Sequence, residues 1–210
     1  MDITFAVSSI SRFCASPREG HLRCAIKILG YLKKYPKKGY LVDPREMELN
    51  LEYKDIKADF GNQYIDFKEE IDEHLPIEKM KELSITIMCD SNHGHDRRTG
   101  KSISGIIVFV GRTPIYWCSK RQGAVQISTF GAEFVALKKA VEEAVTTRYW
   151  LRSMGVKVSK PTIIYGDNLS AITNTINPGS QLNKKYLVLS YHYCQEHFGA
   201  GIVSIRKIDG

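Results

Sequence analysis

The chain is 210 residues long, 43% hydrophobic and 25% charged, with sixteen glycines; that is enough for one domain and part of a second, and it excludes disordered, collagen-like and coiled-coil classes. Thirty Lys and Arg against 23 Asp and Glu give a net charge of +7, which favours a polyanionic partner over an acidic one. The charge is uneven, because residues 43–82 hold thirteen acids and six bases, so the basicity belongs to 1–42 and 83–210.

Residues 1–13 begin inside an apolar pattern rather than with a leader, as expected of a chain cut from something longer. Leu22, Ile26, Leu29 and Leu32 recur at helical spacing and predict an amphipathic helix over about 18–34, with Ser16 as N-cap and Pro17 in the first turn. Pro36 and Gly39 stop it, and a short strand is expected at 39–42. The cluster Lys33, Lys34, Lys37 and Lys38 reads either as a solvated helix end that complements the helix dipole or as a phosphate contact. Residues 43–82 alternate charges with isolated aromatics and carry Pro44 and Pro76, which predicts a connector with local helix or hairpin.

From 83 onward the pattern sharpens. A β-branched run at 84–90 ends in an acid; a second at 102–110 follows a polar loop, and a third at 113–120 follows a tight turn at Gly111 and Arg112. These make an antiparallel meander. Ser128 and Thr129 are N-cap candidates for a helix over about 129–154, with Glu133 in its first turn and Gly155 at its end. Residues 161–167 form a short, almost wholly apolar strand of the kind buried on both faces. Helices follow at about 168–176, broken at Asn177, Pro178 and Gly179, and at about 185–198, with a last strand at 202–208. The order βββαβααβ predicts an α/β fold: a mixed sheet of three antiparallel strands and then parallel additions, with flanking helices.

Five cysteines, Cys14, Cys24, Cys89, Cys118 and Cys194, lie ten or more residues apart, which suits neither a zinc knuckle nor a disulfide framework. A reducing intracellular setting, cytoplasm or nucleus, is expected. No apolar run approaches the roughly 18 residues that span a bilayer, so no membrane partner is expected.

Asp90 and Asp167 each close a strand, where α/β sheets place their chemistry, and Glu133 can face the same spot. Three acids from three elements raise one another's pKa unless a cation neutralises them, and hard Mg²⁺ with oxygen ligands does that while leaving room for phosphate oxygens. The alternative is that each is an ordinary surface or cap group, Glu133 favoured by the helix dipole and Asp167 capping the next helix.

The string from Cys89 to Leu137, with IIYGDNLSAI and SYHY after it, resembles the ribonuclease H domain of Ty1/copia-type retrotransposon Pol polyproteins. The family pattern runs S-D-A-D-W, D-R-R-S-T-S-G, G-x-P-I-S-W-x-S-K-[KR]-Q, S-S-T-E-A-E-Y, C-D-N-x-S-A-I and K-H-I-D-I-R-Y-H-F, and the match covers about 88 to 193. The start, DITFAVSSISRF and then CASPREGHLRCAIKILGYLKK, is similar to the segment that ends the family's reverse transcriptase domain.

The resemblance implies an RNase H-like mixed sheet at 83–210, an acidic connector at 43–82 and a helical reverse transcriptase remnant at 1–42. It implies that Asp90, Glu133 and Asp167 hold Mg²⁺, with Mn²⁺ as a substitute, and activate water to cut the RNA strand of an RNA–DNA hybrid. Gln122, Ser128 and Asn168 become candidate contacts to the nucleic acid, in keeping with recognition by shape and 2′-hydroxyls. Arg97 and Arg98 match the paired arginines, either as phosphate ligands or as partners of Asp96 or another acid. No small-molecule cofactor beyond the divalent ion is implied.

Departures are equally plain. Asn92 and His93 replace an acid and a tryptophan, Gly131 replaces a glutamate, and Lys185, Tyr186, Leu187 and Val188 stand in place of K-H-I-D. His93 and His95 are expected to be solvated loop histidines, and His192 a packed, hydrogen-bonded one. The fold's fourth carboxylate is expected beyond the last strand, and Asp209 falls too early for it. A decayed, inactive element fragment with weak nucleic-acid binding is therefore the alternative to a nuclease.

Overall fold

The computed structural model describes residues 2–47, 49, 60, 63–64, 66–177 and 187–208. Among these residues ten elements follow in order: α1 (Thr4–Ser11), α2 (Glu19–Lys34), β1 (Ile85–Asp96), β2 (Lys101–Val110), β3 (Thr113–Arg121), α3 (Thr129–Ser153), β4 (Thr162–Gly166), α4 (Leu169–Ile176), α5 (Val188–Gly199) and β5 (Val203–Lys207). The strands form one sheet in the order β3-β2-β1-β4-β5. β1 to β3 pair antiparallel, whereas β4 joins β1 and β5 joins β4 in parallel. This is the mixed sheet with flanking helices that the sequence predicts.

The core lies between the sheet and α3. On α3, Phe134, Leu137, Val141, Ala144 and Leu151 recur on one face and are buried against Ile87, Ile106, Val108 and Ile164 of the central strands. Each of the larger side chains contributes about 1.5–3 kcal/mol when taken out of water. Ser128 caps α3, its side chain accepting from Gly131 N, and Gly155 ends it with φ +75°.

Several expectations change. The polar stretch after Asp90 is not a loop: β1 runs on to Asp96, and its outer half pairs with β2 up to Lys101 through an irregularity between Asn92 and Asp96. Gly94, with φ +61°, supplies the bend, and its N–H donates to Ser102 Oγ. Ladder bonds of a hairpin do not require apolar side chains, so this extension carries no β-branched signal. Helix α2 starts at Glu19, not at Pro17; Arg18 is the N-cap, and its N–H donates to His21 Nδ1 rather than being served by Ser16. Residues 39–42 are not a strand. Tyr40 instead packs edge-on against Trp117 at 6.1 Å. A helix α1 stands where only an apolar pattern was legible. His192 is exposed, though it shares a hydrogen bond with the Tyr64 hydroxyl, and the packed histidine of α5 is His197. The start of the helix expected at 185 and the turn at Pro178 and Gly179 lie outside the described residues.

The acidic segment binds the sheet unit at several points. Asp43 N donates to Thr113 Oγ1 at 2.7 Å and Arg112 N to Asp43 O. Gly111 permits this approach, because its φ is +58° and an added Cβ would lie 2.7 Å from the Pro44 backbone. Further on, Lys79 N and Met80 N both donate to Gly155 O, and Glu82 accepts from Ser159 N and Lys160 N. The strongest link is Glu69, which accepts from Arg148 Nε at 2.6 Å and Nη2 at 2.8 Å and from both Arg152 terminal nitrogens at 2.5 and 2.8 Å. Burial alone would raise the Glu69 pKa, but the two guanidinium groups pull it down to about 2.

Because Glu69 is depressed when folded, its contribution is complete above its ordinary value near 4.5 and is lost as pH falls toward 2. Glu69→Gln strands the buried Arg148 without its anion. It should cost about 2 kcal/mol at pH 7, discounted because the carboxylate keeps some solvent. Urea melts at pH 7 and pH 2.5 check this: the wild-type advantage must shrink at the lower pH.

Candidate metal centre

The site is built by strand register. Met88 pairs with Tyr165 across the parallel β1–β4 ladder, so two residues later Asp90, midway along β1, stands beside Asp167, just past the end of β4. Both are exposed. α3 brings Glu133 to them from below, and one oxygen from each of the three carboxylates lies within 4.8 Å of the others. Glu133 is not in the first turn as expected: α3 begins at Thr129 and has no acid in its first turn. The helix dipole therefore gives it little support. It is 8% exposed. Burial, followed by the charges of Asp167 and Asp90, pushes its pKa up to about 7.

A buried hydroxyl joins this cluster. Ser91 is buried beside Glu133, and its hydroxyl and backbone N–H partly offset the rise in the Glu133 pKa. No motif in the sequence marks it, although strand alternation after Asp90 turns residue 91 toward the helix side. On the opposite face of the sheet a groove of about 630 Å³ opens beside the acids. Thr4 and Phe5 of α1, Met88, Trp117, Asp90 and Asp167 all line it. α1 is held there by Ser8 Oγ donating to Ser119 O at 2.7 Å and by Phe5 packing edge-on to His95 at 5.3 Å.

The other site candidates divide. Arg97 and Arg98 are exposed in the turn between β1 and β2. Asp96 is not their partner through the guanidinium groups; it accepts from Arg121 Nη1 at 2.8 Å and Thr99 Oγ1 at 2.8 Å, and only the backbone N–H of Arg98 reaches it. Gln122 is buried, with its Nε2 donating to Ser104 Oγ and Ala132 O. Both amide hydrogens are thus spent, one on β2 and one on the start of α3, which leaves the amide no donor for nucleic acid. Ser128 Oγ caps α3 and Asn168 Oδ1 caps α4, accepting from Ala171 N at 2.9 Å. His93 and His95 lie on β1 rather than in a loop; His93 Nε2 meets Gln126 O and His95 Nδ1 meets Asn92 Nδ2. Among the described residues neither belongs to a group able to hold a metal. Asp209 lies outside the described residues.

No protein-family model matches the chain. It is 25% identical over 207 residues to the retrovirus-related Pol polyprotein from transposon RE1 of Arabidopsis thaliana, and 24% identical over 207 residues to that from transposon RE2 of the same plant. In each case the match covers 99% of this chain and 12% of the relative. The chain thus spans about an eighth of the length of these relatives. Among solved structures it is similar to LC11-RNase H1 in complex with RNA/DNA hybrid, with 12% identity, coverage of 60% of this chain and 86% of that one, and a TM-score of 0.46. The resemblance to copia-type Pol polyproteins read from the residues is borne out by relatives matched along nearly the whole chain. No helix among the described residues is long and apolar enough to cross a membrane.

Glu133 binds its proton more tightly in the folded chain than unfolded, so without metal its ionisation costs stability as pH rises from about 4.5 through about 7. Glu133→Gln should therefore stabilise the chelator-treated protein by roughly 1–2 kcal/mol at pH 8 and have little effect at pH 4.5. Urea denaturation in the presence of a chelator at both pH values reads the difference; equal effects at the two would refute the burial of an ionisable group there.

Proposed function

We propose that the chain is the RNase H-like nuclease unit of a copia-type Pol polyprotein, which hydrolyses the RNA strand of RNA–DNA hybrids with Mg²⁺, or Mn²⁺, held by Asp90, Glu133 and Asp167. The observation that carries this reading is the gathering of those three carboxylates beside the C-terminal end of β4. The donor set suits a hard divalent cation: all oxygens, two of them on exposed side chains, with the third carboxyl kept near neutrality only by burial and its neighbours. The Ser91 hydroxyl, buried beside Glu133, supports the charged form of that carboxylate. Bound there, the ion would polarise a phosphate oxygen and lower the pKa of a bound water.

The chain's own groups do the rest. Asp90 and Asp167 stand at the groove mouth, where their charge repels a bare phosphate and so makes binding depend on a neutralising cation. Glu133, whose pKa is raised to about 7 without metal, would give up its proton as the cation binds, so metal binding should strengthen as pH rises toward neutrality. Arg97 and Arg98, exposed at the tip of the β1–β2 hairpin, offer bidentate phosphate contacts. Asn168 and Ser128 place helix N-termini next to the acids, and their caps fix those helices in position.

A hybrid with labelled RNA should be cut by the purified chain with Mg²⁺ and not with chelator. Asp90→Asn should lower the rate by roughly 10²–10³-fold. Cleavage that survives this substitution would sink the assignment, and absence of cleavage by the wild-type chain would favour the inactive-fragment reading.

A further inference from the structure

The lysines at the end of α2 have no role in the acid site, yet they are fastened beside it. Lys33, Lys34, Lys37 and Lys38 are all exposed. The helix dipole accounts for the first two but not for Lys37 and Lys38, which follow Pro36 outside the helix. Lys33 and Lys37 make no hydrogen bond or ion pair among the described residues, while Lys34 lies 5.5 Å from the Tyr35 ring centroid and Lys38 5.5 Å from that of Tyr31. Asp2 anchors this end, paired with Lys38 Nζ at 2.7 Å and accepting from the Tyr31 hydroxyl, and Lys38 also donates to Tyr31 at 2.8 Å. Two residues after Asp2 comes Thr4, which lines the groove shared with Asp90 and Asp167. At 3.8 Å per residue, at most about 8 Å of chain separates the lysine anchor from the groove wall.

We propose that the lysine-rich end of α2 is a second contact for the phosphate backbone of duplex nucleic acid, continuous with the groove at the acid site. The inference rests on the nucleic-acid reading of that site. Four cations within six residues, with no acid among them, interleaved with Tyr35 and set next to a groove that holds the acids, match a duplex that carries one charge per about 1.7 Å of its axis.

The full chain should be titrated against a labelled 20-base-pair RNA–DNA hybrid by fluorescence anisotropy, with Ca²⁺ replacing Mg²⁺, across a range of salt. Replacing Lys33, Lys34 and Lys37 together by Gln should flatten the slope of log K against log salt by about 0.9 for each phosphate no longer neutralised, and arginine at the same positions should restore it. Lys79, Lys81 and Lys157, exposed near the far end of α3, make the control triple. If both glutamine triples flatten the slope equally, or neither does, or the wild-type chain fails to bind, the proposal is refuted. A slope that depends on the α2 lysines in a chain that never cuts hybrid upholds the proposal and overturns the nuclease reading instead.

Discussion

Three carboxylates held within 4.8 Å of one another repel, and one of them is buried. Every part of the fold near the site works against that repulsion. The parallel ladder between β1 and β4 fixes where Asp90 and Asp167 emerge, and neither can withdraw without breaking the central pair of the sheet. Glu133 is placed by α3, whose Phe134, Ala136, Ala140 and Val141 are completely buried, so the helix cannot roll to carry its acid into water. Apolar burial of this size exceeds the cost of one partly desolvated carboxyl by several fold. The folded chain therefore keeps a strained patch of negative charge that a cation would relieve.

How much of this was legible in the sequence depends on what each element is made of. The inner half of β1, together with β2, β3 and β4, is β-branched and apolar, and α3 repeats its apolar residues at helical spacing, so these elements and their order could be read directly. The outer half of β1 could not. Ser91 to Asp96 is polar throughout, and only pairing with the partner strand makes it extended. Asp90 and Asp167 were recognisable because each ends an apolar run. Nothing in the sequence marks Gln122 as buried, yet its side chain lies inside, donating to Ser104 Oγ and Ala132 O. Glu69 gave no signal at all. It is one acid among thirteen in its segment, and only the two arginines a full helical turn apart on α3 distinguish it.

The basic and acidic blocks that divide the sequence meet differently in three dimensions. The acidic segment turns part of its charge inward to the arginines of α3 and part to the backbone after it, so its net negative charge does not all reach solvent. Of the basic blocks, the lysines at the end of α2 and Arg97 and Arg98 at the tip of the β1–β2 hairpin stay outside.

The docking of residues 43–46 on the β2–β3 turn and of 66–83 along α3 and its C-terminal end has a topological consequence. Both flanks of the stretch between them are fastened to the same body by bonds that do not pass through that stretch. Continuity of the backbone across it is thus not what holds the amino-terminal helices against the sheet. A chain opened there would yield two pieces that remain one particle, and the same two pieces made separately have the contacts needed for fragment complementation.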